Sequence, residues 1–146
     1  MRKNKRKLYG FETTNRAKHN LKVHLILVCK YRKRLLIESI KEEIKNAIYE
    51  IESNSDFNII EMESDIDHIH IMLQHIPRVS ISSIVNRIKS ITTYKVWENH
   101  SKYLQKYFWK EKTFWSDGYF VCSVGEASPE TIIREFLEKE YNRHNK

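Results

Sequence analysis

Apolar positions recur along the chain with two periods, one near two residues and one near 3.6, and the switches between them mark out the elements. From Leu21 to Lys30 the pattern alternates, with Val23, Leu25, Leu27 and Cys29 on one face and Ile26 and Val28 on the other. A strand apolar on both faces belongs in the middle of its sheet. Leu36, Ile40, Ile44, Ala47, Ile48 and Ile51 then recur at helical spacing, and the polar cluster Ser53-Asn54-Ser55-Asp56 ends that helix. Phe57 to Met62 reads as a second strand, Asp65-Ile66-Asp67 as a short turn, and Asp67 to Leu73 as a third strand, the last two strands forming an antiparallel hairpin. Beyond Pro77, Ser80 caps a second helix that carries Ile81, Ile84, Val85, Ile88 and Ile91 on its apolar side. An aromatic and basic stretch fills 99–118, and Tyr119 to Val124 is the last strand. Ser128 as N-cap and Pro129 in the first turn open a final helix to about Arg143, with Ile132, Ile133, Phe136 and Leu137 on one stripe. The order β-α-β-β-α-β plus one helix predicts an α+β, ferredoxin-like split β-α-β fold: an antiparallel sheet with two helices on one face. Residues 1–20 read as a basic arm, and 21–146 as a single domain.

The third strand carries the candidate chemistry. Ile69, Ile71 and Leu73 share the face that covers a core, so His68, His70 and Met72 share the other. Two imidazoles one pleat apart suit two ligands of one metal ion, although such a pair also arises by chance on many strands. The terminal helix is the natural cover for this face, in the same chain or in a dimer.

Charge changes the picture next. There are 26 basic residues against 19 acidic, a net charge of +7, which favours a polyanionic partner, nucleic acid first. The bases cluster in Arg2-Lys3-Asn4-Lys5-Arg6-Lys7 and Lys30-Tyr31-Arg32-Lys33-Arg34. Basic runs with interleaved tyrosine fit backbone contact plus base stacking. Cys29 and Cys122 form no paired framework, so a reducing, cytoplasmic setting is expected. No apolar run is long enough for a membrane span or a signal sequence. With only three glycines there is no phosphate-cradling loop.

Asp67 before His68-Ile69-His70, the segment Cys29-Lys30-Tyr31-Arg32, the run Trp115-Ser116-Asp117-Gly118-Tyr119-Phe120-Val121, and Val124-Gly125 ahead of a terminal helix form an ordered set. Together they resemble the HUH-type single-tyrosine transposases of the insertion-sequence 200/605 class, the transposase A family, from about Leu21 onward. The resemblance implies a homodimer with a composite active site and a Mg2+ or Mn2+ ion on His68 and His70. It also implies single-stranded DNA with an imperfect hairpin as substrate, and a terminal-helix tyrosine that attacks a DNA phosphate to give a 5′-phosphotyrosine and a free 3′-OH. Aligning the family's Tyr-Ile-x-x-Gln pattern on Phe136-Leu137-Glu138-Lys139-Glu140 puts Phe136 at the nucleophile position and Glu140 at the third metal ligand. Spacing of four sets both on one helix face.

Phe136 has no hydroxyl and forms no phosphotyrosine. It reads as a substitution that traps uncleaved DNA, as a naturally inactive copy, or as a misplaced alignment; by pattern alone it belongs to the apolar stripe. Tyr141, five residues on, points away from the Phe136–Glu140 face. The second helix also departs from the family: Lys89-Ser90-Ile91-Thr92-Thr93-Tyr94-Lys95 stands where relatives carry a Lys-Gly-x-Ser-Ser-Arg-like run. Lys30, Tyr31, Arg32, Arg34, Arg87, Lys89 and Lys95 are the candidate DNA contacts. Two other readings compete: a non-catalytic single-strand nucleic-acid-binding module with a ferredoxin-like fold, and a metal-dependent phosphoesterase that uses water. Trp109 and Trp115 read as core or dimer packing, and His24, His75 and His100 lack an evident partner.

Overall fold

The computed structural model describes residues 21–124 together with 131, 134, 135, 137 and 138. The basic arm expected over 1–20 lies outside the described residues, as do positions 136, 140 and 141.

β1 (Leu21–Val28) is followed by a single 3-10 turn (Lys30–Arg32), α1 (Glu38–Ser53), β2 (Phe57–Ser64), β3 (His68–His75), α2 (Ile81–Leu104) and β4 (Phe120–Ser123). The four strands form one antiparallel sheet in the order β2-β3-β1-β4. That is the split β-α-β arrangement read from the sequence, with β1 central as its two apolar faces require.

The helices cover one sheet face. Leu25, Leu27, Ile69, Ile71 and Leu73 are fully buried there against Ile40, Ile44 and Ile48 of α1 and Ile84, Val85 and Ile88 of α2. Ser80 caps α2 as expected: its Oγ accepts from the Ser83 N–H at 3.2 Å. β2 and β3 are a hairpin, closed by the Asp65 N–H donating to the His68 carbonyl at 3.0 Å.

Some boundaries differ from the sequence reading. Leu36 is buried but precedes α1; its N–H donates to the Ile66 carbonyl, so it packs as part of the loop. α2 runs on through Leu104, into the stretch read as aromatic loop, because Thr92, Val96, Trp97 and Leu104 continue its buried stripe. The stretch after it is a run of turns and bends, well anchored. The Trp97 indole donates to the Thr113 carbonyl at 2.8 Å and the Trp115 indole to Thr92 Oγ1 at 2.9 Å. The Ser116 N–H bonds the Val28 carbonyl and the Lys30 N–H bonds the Phe114 carbonyl. Trp115 is core, as expected. Trp109, read as core or dimer packing, is not in the core of the single chain: it is 76% exposed, in the loop beyond α2.

Candidate metal and nucleic-acid site

The cross-strand register decides which side chains share the second sheet face. Val28 pairs with His68, Ile26 with His70 and His24 with Met72. Cys122 pairs with His24 and Phe120 with Ile26. Glu63 pairs with His70 on the β2 side. Paired residues lie on the same face, so His68 and His70 stand among His24, Ile26, Val28, Phe120 and Cys122. Ile26 and Val28 form a small apolar cluster of their own with Phe120, Cys122 and Leu137. Residues 131, 134, 135, 137 and 138 are helical, and Leu137 lies on this sheet face in the same chain. Of the described residues of the terminal segment, Leu137 packs on the histidine face.

Both candidate ligands are buried and held by a partner. His68 Nδ1 lies 2.8 Å from Asp67 Oδ1. Burial alone would raise the Asp67 carboxyl, but the hydrogen bonds and charges of His68 and Arg32 outweigh it and hold the group below the usual carboxylate range. An ionised carboxylate only accepts, so His68 Nδ1 is the donor of this bond. Arg32 supports the arrangement from behind: its Nε and Nη2 donate to Asp67 Oδ2 at 3.2 and 3.1 Å. A carboxylate that orients an imidazole is the usual support of a metal-binding histidine.

His70 has a partner that the sequence did not announce. His24 Nδ1 sits 2.9 Å from His70 Nε2, one nitrogen donating and the other accepting. Burial, and next the neighbouring His24 ring, hold His70 below the usual histidine range, against the opposing pull of Glu63. His70 is thus a neutral imidazole near neutral pH, the form that binds metal. Two imidazoles on one face, one of them oriented by a carboxylate, are a donor set that suits a divalent ion. Among the described residues no cluster of three His, Cys, Asp or Glu could hold a metal; Glu140, the third ligand expected from sequence, lies outside the described residues.

The candidate DNA contacts separate into two groups. Lys30, Tyr31, Arg32 and Arg34 lie on or beside the turn that leaves β1 next to His68, since Val28 is the register partner of His68. Of these, Arg32 is turned inward to Asp67 and Lys30 reaches the exposed Asp117 at 3.4 Å. Tyr31 is 52% exposed. Arg87, Lys89 and Lys95 stand on α2, in the opposite layer. Arg87 bonds Ser55 Oγ at 2.6 Å and Lys95 pairs with Glu50 at 3.4 Å. The Lys89 ammonium is wrapped by the carbonyls of Ser116, Asp117 and Gly118 at 2.7, 3.2 and 2.9 Å, a structural role that fixes the approach to β4.

His24 and Asp67 are the supports that sequence reasoning did not assign. The signal for His24 was its place two residues before Ile26, on the face of β1 opposite Leu25. It became readable only with the β1–β3 register. His100 and His75 also have partners, Glu43 Oε2 at 2.8 Å and the Ile76 carbonyl at 3.0 Å, both away from the metal face.

Comparison with known proteins follows the same outline. A family model described as "Transposase IS200 like" matches residues 17–140. The transposase for insertion sequence element IS200 of Salmonella typhimurium is 27% identical over 123 residues, 83% of this chain and 80% of the relative. The ISDra2 transposase TnpA of Deinococcus radiodurans is 23% identical over 125 residues, 86% of this chain and 87% of the relative. Among solved structures, a Deinococcus radiodurans transposase superposes with a TM-score of 0.75 at 21% identity, over 84% of this chain and 92% of that one. A REP-associated tyrosine transposase bound to a REP hairpin superposes with a TM-score of 0.56 at 12% identity, over 83% of this chain and 69% of that one.

Proposed function

Because this chain belongs to the IS200-like transposase family, we propose that it is a single-stranded DNA transposase scaffold of the HUH single-tyrosine type, competent to bind metal and hairpin DNA but not to cleave. The observation that carries this reading is the buried pair His68 and His70 on one sheet face, with Asp67 fixing the His68 tautomer. His68, His70 and, from the sequence alignment, Glu140 would hold Mg2+ or Mn2+. A divalent ion there supplies charge that polarises a scissile phosphate and orients it for in-line attack.

The chain's own residues do the rest. Asp67 holds the proton on His68 Nδ1, and the low basicity of His70 keeps its ring neutral. In a tyrosine-bearing homologue the hydroxyl at position 136 attacks phosphorus, the bond to the 3′ oxygen breaks, and a 5′-phosphotyrosine and a free 3′-OH result. Phe136 lacks that oxygen, so no covalent bond forms. The substrate is single-stranded because the attack needs an accessible backbone. The basic turn after β1, with Tyr31 exposed beside His68, is a surface for phosphates and an unpaired base. The assembly this reading expects is a homodimer whose terminal segments complete its two sites.

The phenyl ring at 136 also favours a second reading, a single-strand binding module with no chemistry. Fluorescence anisotropy tests the nucleic-acid part common to both. Hairpin-bearing single strands are expected to bind more tightly than a duplex of equal length. Affinity should drop steeply as salt rises from about 50 to about 200 mM, since each neutralised phosphate releases counterions. A duplex preference, or affinity flat with salt, contradicts the reading.

A further inference from the structure

The turn that follows β1 is strained. Tyr31 and Arg32, neither of them glycine, have φ of 58° and 54°. Left-handed backbone at a non-glycine residue costs on the order of 1 kcal/mol or more, and it persists where the surroundings over-determine it. Here the surroundings are visible. The Cys29 N–H donates to the Asp67 carbonyl at 2.9 Å, the Lys30 N–H to the Phe114 carbonyl at 2.8 Å, and the Arg32 N–H back to the Cys29 carbonyl at 2.8 Å. The consequence of the left-handed pair is directional. Tyr31 is presented outward and Arg32 is turned in under β3.

The Arg32 guanidinium then serves two elements at once. Nε and Nη2 both reach Asp67 Oδ2, and Asp67 Oδ1 holds His68 Nδ1. Nη1 donates to the backbone carbonyl of Leu137 at 3.5 Å. Leu137 in turn packs on Ile26 and Val28, the register partners of His70 and His68. One planar cation therefore touches the support of the first histidine and the terminal segment, at the residue that follows position 136 in sequence. A lysine offers a single ammonium and cannot span both acceptors in a fixed fork.

We propose that Arg32 is a positioning residue that ties the orientation of His68 to the seating of Leu137, so that a common group sets the histidine support and the described part of the terminal segment. This departs from the expectation that Arg32 contacts DNA. Its charge is compensated by Asp67 and its donors face inward. The inference rests on His68 being a metal ligand only for its metal consequence; the geometry of the clamp stands without it.

The test uses the full chain and the variants Arg32→Lys, Arg32→Ala and Asp67→Asn, with circular dichroism as the check on folding. Three readouts are followed: the His68 ring tautomer by long-range 1H–15N NMR, backbone hydrogen exchange over 134–138 by mass spectrometry, and Mn2+ affinity by electron paramagnetic resonance. The unsubstituted protein should show a single Nδ1-protonated His68. Arg32→Lys, although charge is kept, should show mixed tautomers, faster exchange over 134–138, and Mn2+ binding weakened about 10- to 100-fold. Asp67→Asn should lose the tautomer and the metal affinity yet leave exchange over 134–138 as it was. Arg32→Lys indistinguishable from the unsubstituted protein in tautomer and exchange overturns the clamp. A protein that binds no Mn2+ before any substitution overturns the metal reading instead, and is told apart because tautomer and exchange are read without metal.

Discussion

Cys29 closes the core at the end of β1, fully buried, and its pKa shows what that position does to a thiol. Burial, the largest effect, pushes the group far above its ordinary value, with a smaller upward push from Asp67. The sign is simple: a raised pKa keeps the proton on sulfur throughout the range in which the protein is studied, and the thiolate is the nucleophile. Alkylation of Cys29 by iodoacetamide, followed by peptide mass spectrometry, should therefore be negligible in the native protein from about pH 7 to about pH 9 and become fast only in denaturant. Native-state labelling that climbs with pH like that of a free thiol would contradict this burial. At the same scale, His68 and His70 were legible because β alternation is strict. His24 was not, since its partner lies 46 positions away and depends on register rather than on spacing. The inward bonds of Arg32 were hidden for a related reason. A basic run looks like a phosphate surface until the left-handed turn shows that one of its members faces inward.

At the scale of elements, the strands and helices followed from periodicity, and what escaped was where each one stops. α2 extends to Leu104 because Trp97 and Leu104 keep its buried stripe going, yet the sequence from 99 onward is dense in lysine and tyrosine and hides it. β2 carries a register shift between Ile59 and Glu61, a bulge that alternation alone does not reveal. Across the loop, the buried Glu52 of α1 accepts the Ile59 N–H and joins the end of the helix to the start of the bulge. A buried carboxylate reads in sequence as an ordinary helix glutamate. The Trp109 environment was also beyond pattern. Trp97 and Trp115 are core because each indole N–H finds an acceptor inside, whereas Trp109 falls on a loop tip over no core element.

At the scale of the whole molecule, the fold brings together on one sheet face a histidine pair and Leu137, which arrive from different parts of the chain. No helix among the described residues is long and apolar enough to cross a membrane. Among the described strands β4 is the last of its sheet, four residues long, with Val121 exposed. Analytical ultracentrifugation at micromolar concentration is expected to show a dimer; a monomer would contradict the composite-site assembly while leaving the single-chain geometry in place. The central claim of the proposed function, however, is chemical: the chain binds metal and hairpin DNA but lacks the hydroxyl that would attack the phosphate. The measurement that addresses this most directly is denaturing electrophoresis of the protein with hairpin-bearing single-stranded DNA, with and without Mn2+ or Mg2+, for the unsubstituted chain, Phe136→Tyr, and Phe136→Tyr with Tyr141→Phe. The account predicts no adduct for the unsubstituted chain and a metal-dependent, denaturation-resistant adduct for both variants. An adduct in the unsubstituted chain that disappears with Tyr141→Phe, or no adduct from any of the three under either metal, would contradict it.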